Sequence, residues 1–235
     1  MEKQQEIVSM FDDIAKTYDL ANRILSMGVD KSWRRKACDL AYGFYEQDNI
    51  EKIVDVACGT GDMMIDWQKA STRNDILLKE IVGIDPSVGM MEVGKKKIPN
   101  GTFIEAGAQK LPLEDNSVDI ISITYGIRNV VQRKEAWDEF YRVLKPNGLV
   151  VILEFTKNKQ ENLTDNLTSF YLNNMMPTIG GIISKNKEAY IYLPQSIKEF
   201  ITSDELNLEL KEAGFKPIYT KGFSMDISTL FIARK

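Results

Sequence analysis

Between residues 50 and 155, short apolar, β-branched runs alternate with longer stretches whose apolar positions recur at helical spacing. Strands are predicted at 52–58, 81–85, 102–106, 118–124 and 149–155, with helices at 61–70, 87–97 and 133–144 among them. Such alternation predicts an α/β fold, a parallel sheet with helices on both faces. Lys145–Pro146–Asn147–Gly148 is expected to end the third helix and turn the chain into the next strand. Ahead of this core, residues 1–50 read as helices, with helical spacing over Val8–Ile14 and Leu20–Leu25. After Phe155 the rhythm breaks: residues 160–200 are mostly helical in pattern, rich in Tyr, Met, Phe and Ile, and interrupted by Pro177 and Gly180–Gly181. A helix over 203–213, capped by Ser203 and closed by Gly214, precedes two strands at 215–221 and 225–233, read as an antiparallel edge pair.

This pattern fits one domain. A helical cap (1–50) precedes the sheet core (51–155), a helical substrate-side lid (156–202) and a C-terminal helix with edge strands (203–235). Hydrophobic residues make up 43% and charged residues 27%, the balance of a globular protein that stays in water. With a net charge of −4 the surface offers no general attraction to a phosphate backbone, which argues against nucleic acid. Cys38 and Cys58 match neither a disulfide framework nor a metal site, so a reducing, cytoplasmic setting is expected. The polar start Met1–Glu6 reads as no signal peptide, and no run approaches the roughly 18 apolar residues of a membrane span. Histidine is absent, which leaves Asp, Glu, Tyr or water to accept a proton.

The chemistry concentrates after the first strand, where Asp55–Val56–Ala57–Cys58–Gly59–Thr60–Gly61–Asp62 reads as D-x-A-x-G-x-G. Gly59 and Gly61 let the backbone turn and approach a ligand closely. A dinucleotide fingerprint would need a third glycine at position 64, which is Met64. The second strand ends on Asp85, placed to accept from both hydroxyls of a ribose. S-adenosylmethionine fits these features better than NAD: it has a ribose but no pyrophosphate, and its sulfonium suits a loop with Asp55 and Asp62 nearby. The bland alternative is a strand–turn–helix with a satisfied Asp at each end.

Ser87 is a candidate N-cap for the helix that follows Asp85. The small residues of Glu105–Ala106–Gly107–Ala108–Gln109 would let backbone groups meet an adenine edge, although an ordinary tight loop reads the same way. Thr124–Tyr125–Gly126–Ile127–Arg128–Asn129–Val130 leaves the fourth strand at the carboxyl end, where ligands bind in doubly wound sheets. Arg128 and Asn129 are therefore candidates to face a reacting group. Arg128 equally suits a structural ion pair with Asp55 or Asp62. Tyr141–x-x-x–Lys145 matches a dehydrogenase spacing but falls at a helix end away from the strand ends, and the [D/N]-P-P-[Y/F/W] clamp for exocyclic amines is absent.

Assembled, these segments resemble the quinone-biosynthesis C-methyltransferases of the UbiE/MenG type over nearly the whole chain. Met10–Asn22 is similar to the family's opening FDxIAxxYDLxN and Ser26–Arg35 to its SxGxxxxWR continuation. Tyr125–Val130 is similar to FGLRNV, Arg142–Gly148 to RVLKPGG, Leu153–Lys157 to LEFSKP and Tyr192–Ile197 to YLxxSI. The departures are in loops: Cys58 and Asn147 stand where glycines are frequent, and Asn158 where proline is. The resemblance implies a class I S-adenosylmethionine-dependent methyltransferase with a Rossmann-like sheet of seven strands, mostly parallel with an antiparallel edge strand. It places cofactor contacts on Thr60, Asp85, Gly107, Ala108 and Thr124, beside Asp55, Gly59 and Gly61 of the loop. It implies a polyprenyl quinol substrate and leaves room for a homodimer and for peripheral contact at the inner face of a membrane.

The expected reaction is methyl transfer to a quinol ring carbon, that of demethylmenaquinol or of a benzoquinol. A phenol titrates near 10, and one nearby cation in a partly buried site lowers that by about 1–3 units. Arg128 is the candidate cation, Asn129 the group that orients the phenolate, and Asp19, Tyr18 or water the proton acceptor. Residues 163–197, with Met175 and Met176, are candidates for an apolar lid over the prenyl tail, or equally for core cover. Methylation of another small molecule or lipid, an NAD-dependent oxidoreductase and a non-catalytic binding module are the alternatives.

Overall fold

The computed structural model describes residues 2–157, 186–224 and 226–235. The lid positions Phe170–Ile183 lie outside the described residues, as does the side chain of Tyr190. Two helices open the chain, α1 (Glu2–Leu25) and α2 (Val29–Tyr45). The core follows as β1 (Asn49–Val56), α3 (Asp62–Arg73), β2 (Leu77–Asp85), α4 (Val88–Lys97), β3 (Thr102–Glu105) and β4 (Val118–Thr124). A single 3-10 turn (Ile127–Asn129), α5 (Arg133–Val143) and β5 (Leu144–Glu154) complete it. After the undescribed stretch come α6 (Lys187–Glu199), α7 (Ser203–Glu212), β6 (Lys216–Phe223) and β7 (Ser228–Arg234).

The seven strands form one sheet in the order β3-β2-β1-β4-β5-β7-β6. The first five run parallel, while β7 lies antiparallel between β5 and β6, so the chain reaches the edge first and then folds back into the gap. Ile53–Val56 of β1 and Val118–Ile123 of β4 are buried throughout, because helices cover both faces of the central strands. One core packs Trp137, Phe140, Leu206 and Leu210 against the sheet; the other packs Trp33, Tyr42 and Trp67. Strand order reverses between β1 and β4, which opens a crevice beyond their carboxyl ends.

Two local expectations are corrected. Strand β5 begins at Leu144, and Lys145–Gly148 forms an irregularity inside it, since Val118 pairs with Leu144 but Ile120 with Leu149. Asn147 takes the left-handed φ of 67° that such a protrusion needs. Helix α7 is capped by Thr202 rather than Ser203: Thr202 Oγ1 accepts from Glu205 N while Glu205 accepts from Thr202 N, a complete capping box. Ser87 does cap α4, accepting from Met90 N. No helix among the described residues is long and apolar enough to cross a membrane.

Candidate active site

The loop after β1 is shaped by Ala57, Gly59 and Gly61, all at positive φ. For Ala57, at 52°, and for Tyr125, at 56° after β4, this conformation is costly, and both strand ends hold it at the crevice. An added Cβ on Gly126 would lie 2.6 Å from Ala57 Cβ, so these two loops touch only because Gly126 has no side chain. Asp85, buried at the end of β2, spans the adjoining turns. One carboxylate oxygen accepts from Gly59 N and the other from Ser87 N, each at 2.8 Å. Burial pushes its pKa up to about 6 against the pull of those two amides.

Gly59, Asp85, Gly107, Ala108 and Thr124 line one cavity of about 460 Å³ above the strand ends. Three features of it fit a ribose-bearing cofactor. Each Asp85 oxygen holds one donor and keeps lone pairs for hydroxyls. Thr124 Oγ1 is buried on the cavity wall with no hydrogen-bond partner among the described residues, the mark of a group awaiting a ligand. Gly107 and Ala108, just after β3, line the wall of the cavity.

Helix α1 forms the roof. Its Asp12 caps the start of α4, accepting from Ser87 Oγ at 2.6 Å and Gly89 N at 2.8 Å. Phe11 and Tyr18 close the cavity beside it. The same two residues and Tyr125 also line a second, largely apolar cavity of about 440 Å³, so the two spaces adjoin there. The second cavity is walled by Met10, Trp33, Phe155, Tyr192 and Leu193, with Arg128 as a cation in its wall. Of the expected lid, α6 supplies this wall. Among the described residues the α1 and α2 side carries more of it than α6 does, a contribution apolar spacing in 1–50 did not reveal.

Arg128 does make an ion pair, but its partner is neither Asp55 nor Asp62. Its Nη1 lies 2.6 Å from Glu154 Oε1, both side chains nearly dry, and the Arg128 N–H reaches the other oxygen. Burial raises the Glu154 pKa, and Arg128 opposes that rise. The guanidinium also donates to Tyr125 O and stacks over the Phe155 ring. Burial likewise lifts the hydroxyls of Tyr18 and Tyr192, yet at each the charge of Arg128 acts the other way, favouring the phenolate. Asn129 faces the first cavity, and its Oδ1 accepts from Tyr192 at 2.9 Å, which ties the turn to α6.

Five expected site residues sit elsewhere. Asp55 is buried under the sheet in a chain running from Trp67 Nε1 through Ser122 Oγ to its Oδ1, and burial pushes it up to about 7. Gly61 packs against Ile98, where an added Cβ would come within 2.9 Å. The Thr60 hydroxyl donates to Asp19, which also pairs with Lys97 at 2.8 Å; neither residue lines either cavity. Asp62 is not free for a sulfonium. Although burial works against it, Lys97 and Arg34 hold its carboxyl below the usual range, and Arg23 joins them. This network of Arg23, Asp30, Arg34, Asp62, Asp66 and Lys97 locks α1, α2, α3 and α4 together around the loop. Its long sequence separations left no local signal.

A model of the ubiE/COQ5 methyltransferase family matches residues 1–235. The ubiquinone/menaquinone biosynthesis C-methyltransferase UbiE of Campylobacter jejuni is 53% identical over the full length of both chains. The demethylmenaquinone methyltransferase of Thermotoga maritima is 36% identical over 97% of this chain and 96% of its own. Among solved structures, a SAM-dependent methyltransferase from Aquifex aeolicus superposes with a TM-score of 0.56 at 16% identity, covering 84% of this chain and 88% of its own. Another from Thermotoga maritima gives 0.61 at 18%, covering 97% and 99%. At such identities they speak for the fold alone.

Proposed function

Since the chain belongs to the ubiE/COQ5 methyltransferase family, we propose that it methylates a ring carbon of a polyprenyl quinol, demethylmenaquinol first among the candidates. The observation that carries this reading is the junction of two cavities at Phe11, Tyr18 and Tyr125, one holding Asp85 and Thr124, the other largely apolar. S-adenosylmethionine, when bound, supplies an electrophilic methyl. Asp85 would hold its ribose, Gly107 and Ala108 its adenine edge, Gly59 the close approach of backbone, and Thr124 a further polar group.

The chain's own residues then prepare the acceptor. A quinol carbon becomes strongly nucleophilic once the neighbouring hydroxyl loses its proton. Arg128 favours that loss, as its effect on the Tyr18 and Tyr192 hydroxyls illustrates. Glu154 neutralises part of the guanidinium charge, so the depression of the quinol pKa falls toward the lower end of the one-to-three-unit range expected for a lone cation. Glu154 also fixes where the guanidinium points. Asn129 acts through Tyr192, holding α6 against the second cavity. Tyr18, whose raised pKa keeps it protonated near neutrality, relays the quinol proton to water; Asp19, engaged by Thr60 and Lys97, is set aside as the base. Water excluded from the apolar cavity strengthens each of these polar interactions.

The test is incubation of the purified protein with S-adenosylmethionine and demethylmenaquinone kept reduced, beside a demethylated benzoquinol. The expected product is the naphthoquinol carrying one new methyl on its ring carbon. A methyl on oxygen, or no transfer with cofactor bound, would refute the reading.

A further inference from the structure

The last turns of α1 are apolar on two adjoining faces. Ile14, Ala21 and Leu25 face inward and are buried, as a packed helix requires. On the second face Leu20, Ile24 and Met27, spaced four and three residues apart, face solvent with 58%, 45% and 83% of their surface exposed. Val29 continues this strip at 39%. Met27 is held outward by a left-handed backbone at φ 50°, uncommon for a residue with a side chain, and Gly28 at 75° completes the turn. Four large apolar groups at one tip are unusual on a surface otherwise rich in charge.

The same segment is basic in a protein of net charge −4. Residues 16–36 carry six Lys or Arg against Asp19 and Asp30; Arg23 and Arg34 are engaged by Asp30, Asp62 and Asp66 within the fold, and Lys16, Lys31, Arg35 and Lys36 remain at the surface. Lys16 precedes Leu20 by one turn on the same face, and Lys31, Arg35 and Lys36 are exposed on the first turns of α2. The tip is also continuous with the second cavity, because Met27 and Val29 line it.

We propose that the α1–α2 turn is a membrane-docking element that inserts Leu20, Ile24 and Met27 among the lipids of an anionic bilayer, with the lysines and arginines on its headgroups. Apolar insertion and charge attraction together are what hold an interfacial helix in place. Docked in this way, the apolar cavity opens toward the hydrocarbon, so a prenyl tail passes into it without crossing water. That consequence rests on the quinol reading; vesicle binding does not.

The experiment is sedimentation of the full chain with vesicles of phosphatidylglycerol and phosphatidylcholine, or of phosphatidylcholine alone, none containing quinone. The wild type is expected to pellet with the anionic vesicles, and less so as salt rises from about 0.1 to about 1 M. Leu20→Ser combined with Ile24→Ser should lower partition about tenfold or more on both vesicle types. Lys16→Glu combined with Lys31→Glu should lower it on the anionic ones. Methyl transfer to a short-tailed, water-soluble quinol should persist in both variants, which reports the fold and tests the quinol reading separately. A wild type left in the supernatant, variants that pellet equally well, or a stripe whose substitution instead dissolves a dimer would each overturn the proposal.

Discussion

Asp85 should make cofactor affinity depend on pH in a window where an ordinary aspartate would not. Burial pushes its pKa up to about 6 in the free protein, and hydroxyl donors from a ribose favour only the ionised form. Binding below that pKa therefore has to displace a proton, and affinity falls about tenfold for each further pH unit. The ionised fraction is about one half at pH 6 and about one eleventh at pH 5, so the Kd should rise roughly twofold and then elevenfold above its plateau. An aspartate at its ordinary pKa would change the Kd by less than about 10% over the same range. Calorimetric titration with S-adenosylhomocysteine between pH 5 and 7 reads this directly, with circular dichroism confirming the fold at each pH. Asp85→Asn should flatten the dependence and weaken binding about 10–100-fold at pH 7, the cost of losing hydrogen bonds to a charged acceptor. Asp55→Asn should keep the slope below pH 6, since Asp55 lies beneath the sheet and off the cavity. A wild-type Kd constant within twofold from pH 5 to 7, or an Asp85→Asn variant with the wild-type slope, would refute the reasoning.

Asp55 itself predicts a stability effect. Its folded pKa of about 7 exceeds the unfolded value, so the folded state binds more protons between about pH 4 and 7 and stability falls as pH rises. From pH 5 to 8 the loss from this group is about 2–3 kcal/mol, and urea titrations of Asp55→Asn should lack it; parallel pH profiles would contradict this. Arg128→Ala strands the fully buried Glu154 carboxyl, so unfolding free energy should drop by about 3–5 kcal/mol. In the folded fraction turnover should fall at least about tenfold, with cofactor affinity nearly unchanged; wild-type turnover would remove Arg128 from the chemistry. Gly126→Ala pushes a methyl into Ala57, and should weaken cofactor binding and cost about 1–3 kcal/mol in denaturant titrations; a wild-type Kd and midpoint would show that the loops give way freely.

Much of the lining of the first cavity was legible because it is local. A strand ending in glycines, an aspartate at the next strand end and small residues after the third each carry their meaning within a few positions, and Gly59, Asp85, Gly107, Ala108 and Thr124 do share one cavity. The acceptor side depends on pairs far apart in sequence. Nothing near Arg128 announces Glu154, 26 residues on at the end of another strand, and nothing near Asp19 announces Lys97, 78 residues on. Periodicity could say that residues 1–25 are helical but not that Asp12 would cap α4 and Tyr18 would stand between two cavities. The loop after Leu144 departs from its expectation for another reason: Pro and Gly mark a break in regular structure but not whether it falls before a strand or within one.

The two cavities should meet at the reacting atoms, and a crystal structure with S-adenosylhomocysteine tests that most directly. It should show ribose hydroxyls on Asp85, the adenine beside Gly107 and Ala108, and the sulfur facing the gap between Tyr18 and Tyr125 toward the cavity that holds Arg128. A sulfur turned away from that gap, or a ribose held anywhere other than Asp85, would contradict it.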